Sequence, residues 1–253
     1  MKNYRNGIQS FQMGNAGNTT SHATIQRTID AVWRIESAKV IAGLTRIVRD
    51  VSVAEDLAHD ALVAALEQWP KTGVPDKPAA WLMTVAKRRA LDGFRRERRL
   101  NVKVLEIGRD LEIGQESYEP DLDAIADEPV DDDLLCLVFM CCHPVLPRDA
   151  RVALTLRLFG GLTTEEIARA FLVPVPTVAQ RIVRAKRTLA RERVAFEAPT
   201  KADLPSRLSS VLEVIYLIFN EGYSATSGDD WVRPALCQEA LRLGRVLAGL
   251  VPG

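Results

Sequence analysis

The sequence predicts an all-α protein, and three observations carry that expectation. Apolar residues recur at spacings of three and four through most of the 253 residues, and period-two alternation is almost absent. Prolines and glycines are sparse within the periodic segments and punctuate the stretches between them. A composition of 47% hydrophobic and 26% charged residues is that of an ordinary globular chain, long enough for more than one domain.

Each element follows from its own pattern. Residues 1–21 begin with basic residues but have no apolar core behind them, so they are expected to be a mobile tail and not a secretory leader. From Ile25 onward, Ile29, Val32, Trp33, Ile41, Leu44, Ile47 and Val48 recur at helical spacing. A second helix is expected from about Val53 to Trp69, with Leu57, Ala61, Leu62, Ala65 and Leu66 along one side. WPKTGVPDKP breaks the chain, and a third helix runs from about Pro78 to Arg99 with Trp81, Leu82, Val85, Ala86 and Phe94 as its apolar members. Residues 22–100 thus form a first helical domain. Residues 101–132 are acidic, lack a sustained apolar stripe and read as a linker. A second helical domain spans 133–195. Residues 196–253 add two further helices around the turn-rich NEGYSATSGDD.

Net charge is zero, but it is unevenly placed. Lys87 to Arg99 carries a net +5, residues 101 to 135 a net −10, and Arg181 to Arg193 again +5. Two cationic clusters separated by an anionic segment speak to partners, not to fold. No apolar run reaches the roughly 18 residues of a membrane span. Four cysteines, two of them adjacent, form no spaced disulfide framework, which points to a reducing cytoplasm.

The second cluster lies in GGLTTEEIARAFLVPVPTVAQRIVRAKRTL, residues 160–189. Thr163 and Glu166 have the spacing of a capping box. Val173-Pro174 stops the helix they begin, and Pro176 is tolerable in the first turn of the next one. In that next helix Val178, Ile182, Ala185 and Leu189 share the inward face. Thr177, Gln180, Arg181, Arg184 and Arg187 face outward, with Lys186 on the flank. Arginine and glutamine suit base edges, and the turn, the cap and the basic face together point to a DNA-binding helix-turn-helix.

Three segments then align in order with one family. VAEDLAHDAL (53–62), PAAWLMTVAKRRALDGFRRERR (78–99) and the helix-turn-helix of 160–189 resemble sigma factors of the sigma-70 class, extracytoplasmic function type. The resemblance implies a promoter-recognition subunit without catalysis, in which 22–100 is region 2, 133–195 is region 4, and the partners are core RNA polymerase and promoter DNA. It implies polymerase contacts at Asp56, Leu57, His59 and Asp60, where Asp56 and Asp60 share a helical face. It implies −10 contacts at Trp81, Lys87, Arg88, Asp92, Arg95 and Arg96, and −35 contacts at Thr177, Gln180, Arg181, Arg184, Lys186 and Arg187. Trp81 also fits a core position, given its spacing from Leu82 and Val85. The segment after Pro205 resembles the extension of a subgroup that continues into tetratricopeptide-like helical repeats. That implies a regulatory contact in cis with the extension.

Other chemistry finds little purchase. His22, His59 and His143 lie in unrelated contexts, with no phosphate loop or nucleophile elbow, so no enzyme and no cofactor is expected. Cys136, Cys141, Cys142 and His143 fit no zinc spacing and read as core packing, with no metal. The competing function is a stand-alone helix-turn-helix regulator that never joins RNA polymerase. It would have no use for the acidic face at Asp56 and Asp60.

Overall fold

The computed structural model describes residues 9–107, 130–223 and 234–250. Among the described residues lie nine helices and no strand: α1 (Gln9–Val48), α2 (Val51–Thr72), α3 (Pro78–Ile107), α4 (Val130–Cys141), α5 (Arg148–Leu158), α6 (Thr164–Ala170), α7 (Val175–Arg191), α8 (Leu204–Tyr223) and α9 (Pro234–Leu250). No helix among them is long and apolar enough to cross a membrane.

Helices α1, α2 and α3 pack on one another. The chain reverses between α1 and α2 in two residues. Arg49 adopts a left-handed φ of 54°, and the Asp50 carboxylate accepts from the amides of Ser52 (2.7 Å) and Val53 (3.1 Å). The inward face of α2 is a row of small residues, Ala54, Ala58, Ala61 and Ala65, all fully buried. Small side chains let α1 approach closely, and the interaxial distance follows the residues at the contact. Trp69 closes the far end, buried and set edge-on against Trp81 with ring centroids 5.3 Å apart.

Helices α5, α6 and α7 form the helix-turn-helix, and α8 and α9 form a closely packed antiparallel pair. A β-carbon at Gly222 would stand 2.7 Å from the Cys237 amide nitrogen, so this crossing admits only glycine.

Several boundaries differ from those expected. Helix α1 already begins at Gln9, so the tail expected over 1–21 carries helix from there, and residues 1–8 lie outside the described residues. No proline interrupts the chain between Gln9 and Val48. Helix α2 runs through Pro70 to Thr72 and ends where Gly73, at φ 84°, donates to the Trp69 carbonyl. The break expected over 69–80 therefore shrinks to 73–77. Helix α3 reaches Ile107, and α4 begins at Val130, so helix covers both ends of the expected linker. Residues 108–129 and most of NEGYSATSGDD lie outside the described residues.

The larger departure is in packing. One apolar core runs from Ile29 and Leu44 on α1, through Leu137 and Phe139 on α4 and Leu154 on α5, to Ile218 on α8 and Leu243 on α9. The limits expected at 100, 133 and 195 divide the sequence but not the core.

Candidate nucleic-acid interface

The helix-turn-helix is built as its sequence requires. Thr163 accepts from the Glu166 amide (3.1 Å), and the Glu166 carboxylate accepts from the Thr163 amide (2.8 Å), closing a capping box. After α6, Leu172 turns the chain at a left-handed φ of 49°, and the Val173 amide donates to the Ala168 carbonyl. Helix α7 starts directly after Pro174 with Pro176 in its first turn. Val178, Ile182, Ala185 and Leu189 are all buried, which aims the opposite face outward.

On that opposite face Gln180, Arg184 and Arg187 are exposed, and Thr177 is half-buried. Arg181 is half-buried and pairs with Asp149 of α5 at 2.9 Å. Lys186 departs from expectation: its side chain keeps 14% exposure and pairs with Glu55 of α2. The structure therefore sorts the basic residues of α7 into those facing solvent and those engaged inside the molecule.

Helix α3 presents a second cationic surface. Arg88, Asp92, Arg95, Arg96 and Arg99 are exposed, and 88, 92, 95 and 99 follow one helical stripe at spacings of four and three. Lys87 is half-buried. Arg89 pairs with Asp60 at 3.2 Å, tying α3 to the outer face of α2. Trp81 is half-buried against Trp69 and is part of the packing at the edge of the core.

Helix α2 shows two different polar faces. Asp56 and Asp60 are exposed, with Leu57 half-buried beside them. His59 turns away from that face into the protein. There it joins a cluster that the sequence alone does not reveal. The Arg157 guanidinium donates to Glu55 (2.6 Å), to His59 Nε2 (2.9 Å) and to the Leu162 carbonyl (3.2 Å), while Lys186 donates to the other Glu55 oxygen. His59 Nδ1 lies 2.9 Å from the Glu55 carbonyl oxygen, which can only accept. The ring is therefore the neutral tautomer with its proton on Nδ1. Trp33 of α1 packs on the same ring at 5.4 Å.

Electrostatics follow from that geometry. Burial pushes the Glu55 carboxyl up, but the Lys186 ammonium and Arg157 guanidinium outweigh it and hold the group below its ordinary value. Burial, then Arg157, hold His59 below its ordinary value, outweighing the opposing pull of Glu55. The only local signal for Glu55 is its place beside the alanine row of α2. Arg157 lies 102 residues away and Lys186 131, so no local pattern joins them.

Cys141 and Cys142 are buried, with Cys142 Sγ 3.4 Å from Thr155 Oγ1. Burial pushes the Cys142 thiol up to about 11 and Cys141 well above its ordinary value, so both act as small apolar side chains.

Comparison with known proteins follows the same order along the chain. The profile of Sigma-70 region 2 matches residues 35–100, that of Sigma-70, region 4 matches 136–189, and a family of unknown function (DUF6596) matches 207–253. An uncharacterized protein, R00370, of Rhizobium meliloti (strain 1021) is 39% identical over 222 residues, which is 85% of this chain and 50% of that protein. The ECF RNA polymerase sigma factor SigK of Mycobacterium bovis (strain BCG / Pasteur 1173P2) is 28% identical over 60% of this chain and 78% of its own length. SigK of Mycobacterium sp. (strain KMS) is 27% identical over 62% and 80%. The chain thus spans half the length of the Rhizobium relative and about four fifths of the SigK proteins. No solved structure matches it.

Proposed function

This chain belongs to the sigma-70 family, extracytoplasmic function type, and from that premise we propose that it directs core RNA polymerase to promoters as a sigma factor. The observation that carries the proposal is the coexistence of two separately placed cationic helical faces, on α3 and α7, with an exposed acidic face on α2. A stand-alone DNA-binding protein would need only one of the three.

Each surface takes a role suited to its chemistry. Asp56 and Asp60, with Leu57 at their edge, dock on basic groups of the polymerase, where rim charges mainly set encounter rate and orientation. His59 faces inward and supports this face from behind. On α3, Arg88, Arg95 and Arg96 neutralise phosphates at the −10 element, and Lys87 and Asp92 flank them. Strand opening costs a few kcal/mol per extruded base, which contacts to the freed strand offset. On α7, Gln180 and Arg184 reach base edges of the −35 element, and Arg187 meets the backbone beyond them. Thr177 and Arg181 lie nearest the start of the helix, where a recognition helix contacts bases. In this role the protein carries no catalytic group of its own.

In vitro transcription with purified core polymerase and a promoter pool tests the reading. A sigma factor yields specific initiation that neither component gives alone. Absence of any core-dependent initiation, together with tight DNA binding by the isolated protein, would replace it with a stand-alone regulator.

A further inference from the structure

Resting on that reading, we propose that the protein also exists in a closed, self-latched state, with Glu55 as the keystone that holds the polymerase-docking helix against the DNA-recognition helix. The two modules that must grip separate promoter elements are in direct contact here. The −10 and −35 elements lie about 25 base pairs apart, or about 85 Å at roughly 3.4 Å per pair. No arrangement with α2 and α7 bridged by a single carboxylate spans that interval. The closed form must open before both elements are engaged.

The contacts across the junction are specific. Glu55 of α2 takes Arg157 of α5 on one oxygen and Lys186 of α7 on the other, and Glu55 keeps only 6% side-chain exposure. Arg46 of α1 meets Asp133 of α4 at 3.2 Å, and Arg34 of α1 meets Glu166 of α6. Gly161, at φ 66°, lies so close to α1 that a β-carbon there would stand 3.0 Å from Ser37 Oγ and 3.4 Å from the Arg34 α-carbon. Apolar packing between α1 and α4 adds affinity to the closure but little register. The ionic contacts set the register.

The latch has a functional logic. Lys186 belongs to the recognition helix and His59 to the docking segment, and both are held by the Glu55–Arg157 pair. Engaging promoter through α7 therefore competes with the closed state. So does any change of α2 that draws Glu55 away. A ligand whose competent partner state is only partly populated binds with affinity reduced by that fraction, so the closure lowers apparent affinity for core polymerase and promoter alike. Breaking a buried ion pair from one side leaves the other charges unpaired, and opening rehydrates them. Loss of Glu55 therefore favours the open state.

The test uses the full chain with Glu55→Gln and, at the exposed rim, Arg34→Ala. Small-angle scattering reads closure, circular dichroism reads helix content, and titration with core polymerase reads affinity. Glu55→Gln is expected to enlarge the radius of gyration at unchanged helix content and to tighten core binding about 3–10-fold, as the competent fraction rises. Arg34→Ala shifts both in the same direction by less. Wild-type scattering from both variants, or expansion without tighter binding, overturns the proposal. If Glu55→Gln loses helix, Arg34→Ala together with a salt titration of the wild-type chain decides: expansion with ionic strength supports the latch and a flat profile overturns it. A wild-type chain that does not bind core polymerase sinks the sigma-factor reading instead, and the scattering result still decides the closure.

Discussion

Helices α3 and α7 carry the same excess of positive charge in sequence, yet they present it differently. On α3 the stripe of Arg88, Arg95 and Arg99, with Arg96 beside it, stands exposed to solvent. On α7 only Gln180, Arg184 and Arg187 are fully exposed, while Arg181 is tied to Asp149 and Lys186 to Glu55. Segment charge is therefore a poor measure of what a nucleic acid meets. What counts is which cations the fold has already committed to its own carboxylates.

The largest effect expected from this contrast is on stability. Glu55→Leu should cost about 3 kcal/mol in urea unfolding, because Arg157 and Lys186 would remain largely enclosed without a counter-charge. Asp92→Leu, on the exposed surface of α3, should stay within about 0.5 kcal/mol. Equal losses in the two would erase the distinction between the helices.

Next comes DNA recognition. Arg184→Ala should lower transcription from −35-dependent promoters about tenfold, the value of a lost base contact of about 1.4 kcal/mol. A loss under twofold would remove Arg184 from base readout. Smaller again, Arg96→Ala should weaken promoter binding by the holoenzyme across all sequences and reduce the salt slope by about one, the mark of a phosphate contact. An unchanged slope would show that the α3 stripe does not meet the backbone.

The smallest effect is on pH dependence and belongs to the α7 side alone. His59 faces Glu55 on its own helix, Arg157 from α5, Lys186 from α7 and the Trp33 ring from α1. Its folded pKa is depressed, so its contribution is complete above about 6.5 and is lost as pH falls through the lowered folded value. Protonation would also set a second N–H against the Arg157 guanidinium. The urea midpoint should fall modestly between neutral pH and about pH 5.5. Glu55 loses its own contribution lower, as pH falls below 4.5 through its depressed folded value. His59→Gln should flatten the upper part of this profile, and an identical slope in that variant would show that another group is responsible.

Legibility in sequence followed the range of the interaction. The capping box at Thr163 and Glu166, the buried row Val178, Ile182, Ala185 and Leu189, and the proline-bounded turn between α6 and α7 depend on neighbours within four residues, and all stand as their spacing requires. Helix ends were less legible. The extension of α1 back to Gln9 and of α3 out to Ile107 crosses stretches with no strong stop signal and no strong apolar stripe. Long-range contacts were not legible at all. Asp56 and Asp60 could be placed on one face by their spacing, but His59, one residue from Asp60, turns about 100° away along the helix and finds Arg157. The exposed apolar side expected on the last helix lies mainly on α8, where Leu212, Tyr216, Phe219 and Tyr223 repeat at spacings of four and three.

The turn from Phe159 to Leu162 has one further consequence. Arg242 of α9 donates to the Phe159 carbonyl at 2.8 Å and lies over the Phe159 ring, while Gly161 is pressed against α1 and Arg157 holds the Leu162 carbonyl. Four consecutive residues thus act as a common bearing for the first helix, the recognition unit and the C-terminal hairpin. Torque applied to that hairpin has no slack to take up before it reaches the far end of the molecule.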